Sequence, residues 1–352
     1  MDMTPEMLSL SNAPLLFVVA MMTKILAVFI VVILMVAYAT WVERKVIGHM
    51  QTRLGPTMTG PFGLLQPIAD GLKLFFKEDI VPAQASKVAF ILAPMMILVP
   101  AFITIAVVPF GPDLTISGYI VPQQITDLNV GVLYVLAMAG LGVYGIVLAG
   151  WSSNSKYSLL GGLRSSAQMI SYELAAGLAI VAVFMLSETL SLRGIVAAQQ
   201  APLWGIATLP HWMHNWYAFS QPLAFGLFVI CSLAEINRTP FDLPEAESEL
   251  VSGFCTEYSS MKYALFFMAE YANMIVISAI AATLFLGGWD GPFPGAINIL
   301  IKIVAFMLFF MWIRATWPRV RYDQLMTLGW KWFLPLSLGN IVLTGIIVVL
   351  QQ

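Results

Sequence analysis

Residues 235–257 read EINRTPFDLPEAESELVSGFCTE and set six carboxylates, Glu235, Asp242, Glu245, Glu247, Glu249 and Glu257, around a single base, Arg238. The rest of the chain is apolar: only 10% of its residues are charged and 59% are hydrophobic. Closely spaced carboxylates exchange protons as a coupled group, so the chemistry such a run suits is proton transfer. A structural use competes with it, because Asp242, Pro244 and Glu245 also form an acceptable helix start, where carboxylates gain about 0.3–1 kcal/mol each. Glu245 and Glu249, however, are four apart and repel on one helix face, which a plain cap does not require. An acidic loop is also repelled by anionic lipid heads, so it needs a partner over it or a water-filled space before it.

Two further acids stand inside apolar stretches. Glu173 falls roughly 10 Å into one and Glu270 about 15 Å into another, at about 1.5 Å per helical residue. A charge at the middle of a membrane helix costs about 2.5–3.5 kcal/mol, so such acids normally face a polar interior. They serve as neutral hydrogen-bonded links between helices, for instance to Tyr172 or Tyr271, or they continue a proton relay.

With a mean hydropathy of +0.85, the chain carries more apolar surface than a soluble core could bury and reads as a polytopic membrane protein. Cys231 and Cys255 are too few for a disulfide framework or an iron–sulfur cluster. His49, His211 and His214 all lie in connecting segments, and the 211/214 pair makes only a weak metal motif, so no metal and no bound cofactor are expected on this chain. Phosphate-binding loops, the GxSxG elbow and HExxH are missing, and nothing suggests a nucleic-acid partner. The N-terminal MDMTPEML lacks the positive n-region of a signal peptide, so the first apolar run reads as a retained span.

Stretches long enough to cross a bilayer fall near 14–40, 88–110, 130–150, 166–187, 219–236, 261–286, 296–316 and 332–351. The expected architecture is all-α: about eight transmembrane helices in one membrane domain, 1–352, without internal repeats or a soluble domain. Of the 17 basic residues, 14 lie after the odd-numbered spans, six of them in the connection 44–87, one in the acidic connection 236–261 and four after residue 313. The positive-inside rule makes those loops cytoplasmic, or matrix-facing in an organelle, and puts both termini outside.

From Gly60 to Lys77, Phe62, Leu65, Ile68, Ala69, Leu72, Phe75 and Phe76 form an apolar stripe, and Gln66, Asp70, Lys73 and Lys77 a polar one. That pattern describes a helix lying in the membrane interface. It serves as a surface anchor, or it frames a lipid-accessible slot lined by Asp70, Arg53, Arg44 and Glu43.

The stretches ERKVIGHMQTRLGPTMTGPFGLLQPIADGLKLFFKE (43–78), GWSSNSKYSLLGGLRSSAQMISYE (150–173), EINRTPFDLPEAESELVSGFCTEYSSMKYALFFMAEY (235–271) and PRVRYDQLMTLGWK (318–331) closely resemble the subunit 1 family of respiratory complex I. Complex I is the proton-pumping NADH:ubiquinone oxidoreductase, and the likeness runs across nearly the whole chain. It implies a membrane-arm subunit that forms the slot and chamber through which ubiquinone passes. Quinone is then the substrate, and FMN and iron–sulfur clusters are carried by partner subunits. The chamber lining carries over onto Arg44, Gln51, Arg53, Asp70 and Gly71, and the glutamate chain leading toward the pumping subunits onto Glu173, Glu235, Glu245, Glu247, Glu249, Glu257 and Glu270. The implied partners are the quinone-site subunits of the peripheral arm, small membrane subunits and lipid; the implied location is the bacterial or mitochondrial inner membrane. Residues 130–150 hold no acid, so a relay here has no side-chain carrier in the third span.

Two other functions would also keep acids in helices. A membrane subunit of an energy-converting hydrogenase needs no quinone slot, and QTRLGPTMTGPFGLLQPIADG argues against it. A stand-alone proton or cation transporter commonly shows repeated halves with broken helices, and no such symmetry is present.

The charge asymmetry predicts that cysteines introduced near residue 120 or residue 290 react with an impermeant thiol reagent only from the outside, and one near residue 245 only from the inside. The reverse labelling pattern would overturn the orientation.

Overall fold

The computed structural model describes residues 6–7, 14–116, 119–200, 216–242 and 251–351. Glu245, Glu247, Glu249, His211 and His214 lie outside the described residues. Within those described, twelve helices follow in chain order: α1 (Pro14–Met50), α2 (Gln66–Phe75), α3 (Lys87–Thr104), α4 (Gly131–Ser152), α5 (Lys156–Ser187), α6 (Leu192–Gln199), α7 (Tyr217–Ser220), α8 (Pro222–Glu235), α9 (Ser260–Phe285), α10 (Gly295–Thr316), α11 (Tyr322–Thr327) and α12 (Leu334–Gln351). A π-helical turn, Leu328–Phe333, joins the last two into one continuous rod. Three short strands, β1 (Glu6–Met7), β2 (Leu114–Ile116) and β3 (Tyr119–Val121), form a sheet of order β1-β3-β2. Hydropathy carries no sign of this sheet, whose pairs are parallel for β1–β3 and antiparallel for β2–β3.

The protein is an all-α membrane protein with, among the described residues, seven helices long and apolar enough to cross a bilayer, plus one shorter apolar helix. That shorter helix, α8, has 14 residues and so spans only about 21 Å, less than the hydrocarbon thickness of about 30 Å. The expected fifth span, 219–236, is therefore divided: Gln221 and Pro222 separate the four-residue α7 from α8.

Hydropathy underestimates α5 by ten residues. Its first turns are polar, yet Ser158, Gly161, Gly162, Ser165, Ser166 and Gln168 are buried, because small residues let backbones meet. A Cβ at Gly161 would stand 2.5 Å from Gly253 Cα, so the 3₁₀ turn Gly253–Cys255 can pack there only on glycine. The added length also moves Glu173. It lies 17 residues from the start of α5, about 26 Å rather than 10 Å from that end.

At the C-terminal rod the helix begins at Tyr322, not near 332. The π turn accounts for the difference: Tyr172 on α5 donates its hydroxyl to Leu325 O at 2.9 Å, and Trp330 donates to Ser171 Oγ at 3.0 Å.

Core packing falls on α3, α4, α5, α8, α9 and α10. Only a stripe of α1 is buried, Val32, Val36, Ala39, Glu43 and Gly48, which leaves most of this helix facing outward. Beyond α9, two polar side chains tie the turn at 286–290. Lys302 Nζ donates to Leu286 O at 2.6 Å, Gly288 O at 2.8 Å and Asp290 O at 2.6 Å, and sits 5.0 Å above the Trp216 ring. Gln199 donates to Thr283 O and Leu284 O and accepts from Gly287 N. A cation so placed complements the negative end of the helix dipole.

Lys302→Met keeps the apolar stem but removes the donor to three carbonyls, a change worth about 1–3 kcal/mol. The expected result is a lower thermal midpoint of the detergent-solubilised protein with its turnover at low temperature retained. An unchanged midpoint would show that these carbonyls find other donors.

Candidate functional site

The site begins where α1 ends. The chain turns back at residues 51–55, with Arg53 N donating to Gly48 O at 2.9 Å and Gln51 N to Ile47 O at 3.0 Å. Gly48 and Gly55 allow this return: a Cβ on either would stand 3.0 Å from the backbone of the other arm of the turn. The same turn brings Arg53 to Gln51, whose Oε1 accepts from Arg53 Nε at 2.8 Å.

The helix expected at 60–77 breaks at its start. Gly60, Phe62 and Gly63 have φ of 71°, 55° and 79°, so regular helix begins only at Gln66. No residue of α2 is buried, while Phe62, Phe75 and Phe76 are strongly exposed. Arg44 donates to Asp70 Oδ2 at 2.6 Å, Gln66 donates to Asp70 Oδ1 at 3.1 Å, and Thr59 donates to Gln66 at 2.8 Å. Gly71 faces open space, with nothing within 4 Å of a Cβ built on it. Arg44, Gln51, Arg53, Asp70 and Gly71 thus sit on or beside the joint between α1 and α2, a polar rim next to exposed aromatic rings.

A serine and lysine clasp fixes α2 against α9. Ser260 Oγ donates to Leu74 O at 3.0 Å and to Lys77 O at 2.9 Å, satisfying carbonyls at the end of α2. Ser259 Oγ accepts from Ile80 N at 2.9 Å, and Lys262 pairs with Asp79 at 2.9 Å.

One residue before Arg44, the direction reverses. The sequence suggests Glu43 as part of the rim, but the structure buries it, 3% exposed, because its position continues the packed stripe of α1. Its carboxylate accepts from Arg238 Nη1 at 2.7 Å, from Tyr271 OH at 2.8 Å and from Arg314 Nη1. Arg238, 2% exposed, also donates Nε to Glu270 Oε1 at 2.5 Å, and its guanidinium lies 4.4 Å over the Tyr271 ring. Burial works against the charge of Arg238, but Glu270 and Glu43 outweigh it and hold the group protonated beyond the ordinary arginine range. Two arginines and two glutamates close a neutral set across α1, the segment after α8, α9 and α10.

Beyond Glu270 opens a cavity of about 730 Å³. Glu173 from α5, Glu235 from the end of α8, Glu270 from α9, Asp242, Arg314 and Arg319 line it. Along α9 its wall runs from Tyr263 to Ile280, about 25 Å at the helical rise. Glu173 and Glu235 lie within electrostatic reach of each other, and no hydrogen bond engages either among the described residues. Arg319 donates to Asp242 Oδ2 at 3.2 Å, while burial pushes the Asp242 carboxyl above its usual range, only partly offset by Arg319 and Arg314.

The structure therefore brings Glu173, Glu235 and Glu270 to one cavity. It does not bring Glu257 there: this residue follows the Gly253–Cys255 turn, half-buried and away from the lining. Tyr271 does bond a buried acid, but the acid is Glu43, and Tyr172 is engaged with the C-terminal rod instead. Arg314 and Arg319 are cavity residues that sequence reasoning misses, and Asp242, noted there as one of the acidic run, joins them at the lining. In the sequence Arg314 is visible only as a positive-inside charge; the clue is its position two residues inside a hydrophobic helix end.

A family model described as NADH dehydrogenase matches residues 23–345. The chain is 64% identical to the NADH-quinone oxidoreductase subunit named H 1 of Geobacter sulfurreducens, over 97% of this chain and 99% of that one. It is 65% identical to the one named H 2 of Geobacter metallireducens, over 96% and 98%, and 56% identical to the corresponding protein of Thermomicrobium roseum, over 89% and 91%. Matches of this extent and identity place the chain in that one family of NADH-quinone oxidoreductase subunits, the membrane-embedded kind whose segments the sequence resembles.

Proposed function

We propose that this chain forms the slot through which quinone enters the oxidoreductase from the bilayer, and that it carries the resulting protonation signal inward through its carboxylates. The observation that carries this reading is a change of side at two successive residues of α1. Arg44 binds Asp70 on the exposed rim, while Glu43 binds Arg238, which binds Glu270 on the cavity wall. A charge change at the rim is thereby two residues and three ion pairs from a chamber lined with acids.

In this reading the exposed Phe62, Phe75 and Phe76 guide the isoprenoid tail, and Arg44, Gln51, Arg53 and Asp70 meet the polar headgroup as it passes. Gly71 leaves the room the ring needs. The chain supplies no redox centre; FMN and iron–sulfur clusters on partner subunits deliver the electrons. Reduction of a quinone to a quinol consumes two protons, and drawing them shifts the charge balance at Arg238, Glu43 and Glu270. Glu235 and Glu173 then take and release protons along the cavity, and Glu245, Glu247, Glu249 and Glu257 are further proton carriers of the same relay. Both termini face outward, and the basic connections face the side on which NADH is oxidised.

Arg53→Ala, or Gly71 replaced by tryptophan, is expected to raise the apparent quinone KM by about tenfold or to shift inhibitor sensitivity, with NADH oxidation by a water-soluble acceptor unchanged. Equal loss of both activities would mean failed assembly and remove the support for a slot.

Glu173→Gln and Glu235→Gln keep size and much of the hydrogen bonding but lack the exchangeable proton. In the assembled complex each is expected to lower quinone-coupled turnover by about 10²-fold or more, with partial recovery on Glu→Asp. Variants that pump like the parent in reconstituted vesicles would make these acids structural, since a buried charge replaced by a neutral isostere is often tolerated.

A further inference from the structure

A second concavity, of about 400 Å³, lies on the other half of α1, between that helix and the β2–β3 hairpin. Ala20, Thr23, Ala27 and Val28 form its floor, and Phe110 and Leu114 stand across from them. The lining is almost wholly apolar, yet it contains Lys24. Among the described residues Lys24 has no hydrogen-bond or salt-bridge partner. Asp113 is the acid whose field reaches it, and Asp113 Oδ2 is already held by Arg193 at 2.5 Å.

Depth gives this lysine its meaning. It lies 20 residues before Arg44, about 30 Å along the helix, which is the thickness of the hydrocarbon layer. With Arg44 at one interface, Lys24 stands at the other, at the level of lipid phosphates. The apolar groove beside it follows Ala20, Lys24 and Val28, the continuation of the packed stripe of α1 toward its start, and opens between that helix and the hairpin with room for an acyl chain. Gln124 lines the same groove, 5% exposed; its Nε2 is spent on Val107 O and Thr126 O, and its Oε1 is buried without a partner.

We infer that this groove is a binding site for one anionic glycerophospholipid of the outer leaflet, its phosphate on Lys24 and an acyl chain against Ala20, Ala27 and Val28. A zwitterionic lipid would bring a second positive charge to a site whose cation already lacks a partner, so the site discriminates by headgroup charge. Hydroxyl donors on the headgroup, as in phosphatidylglycerol, would find the free Gln124 acceptor at the groove wall. This site is independent of the quinone slot, which lies at the opposite end of α1.

The test uses the intact membrane complex reconstituted with trace photoactivatable phosphatidylglycerol or phosphatidylcholine, followed by mapping of the cross-linked peptides. Phosphatidylglycerol should label residues 20–28 and 121–125, and Lys24→Gln should cut that labelling roughly fivefold while Lys24→Arg retains it. Phosphatidylcholine labelling should be weaker and indifferent to both changes. Equal labelling by the two lipids, or labelling unaffected by Lys24→Gln, overturns the proposal. So does a groove unlabelled by either lipid, which would mean that a neighbouring subunit fills it. Quinone reductase activity should stay at the parental level in both variants, so a failure here leaves the slot untouched.

Discussion

The charge of Arg238 is the constraint around which the rest of the molecule is arranged. A guanidinium 2% exposed in an apolar bundle persists only if carboxylates and hydrogen bonds replace the water it has lost. Glu43 does so at Nη1, Glu270 at Nε and the Tyr271 ring at the guanidinium face, and each comes from a helix that must therefore be held in place. Removing one partner would strand a buried charge, which costs about 3–5 kcal/mol, far more than an exposed pair such as Arg321–Asp323 supplies. The network thus locks α1, α9 and α10 together around the segment that follows α8.

That lock also determines what the two ends of the site can do to each other. The rim at α1 and α2 is exposed, the cavity lies among α3, α4, α5, α8, α9 and α10, and the network lies between them. Because the set is neutral when all four charges are present, a proton added to any carboxylate leaves a net positive charge in low dielectric, and the nearest acids feel it. The clasp of Ser259, Ser260 and Lys262 on the end of α2 gives a mechanical link along the same line, since α9 carries both the clasp and Glu270. Glycines at residues 150, 161, 162 and 253 let the end of α4, the start of α5 and the Gly253–Cys255 turn pack backbone to backbone.

Most of the scaffold is legible in hydropathy, because seven spans announce themselves by length and apolarity alone. The departures from it have physical causes. The start of α5 is hidden because small polar residues pack backbone to backbone, which hydropathy does not register. The split before α8 depends on Pro222, and the π turn at Leu328–Phe333 depends on a hydrogen bond from another helix, so neither is written locally. Glu173, Glu235 and Glu270 are readable as acids in apolar surroundings, and the structure gathers them at one cavity. Glu43 misleads because it lies next to Arg44 in sequence, while successive helical residues point about 100° apart and reach different environments. Arg314 and Arg319 read as topology signals because a charge at a helix end serves orientation and chemistry alike.

The central claim is that carboxylates lining the cavity change protonation when quinone is reduced, and Glu235 stands three residues before Arg238 and within the field of Glu173. The most direct measurement is the infrared difference spectrum of the reconstituted complex between its oxidised and quinol-reduced states, in the region of the protonated-carboxyl C=O stretch, comparing the parent with Glu235→Gln. The account predicts a carboxyl band in the parent that shifts in deuterium oxide and is lost in the variant. A carboxyl region identical in parent and variant, with quinone fully reduced in both, would contradict it.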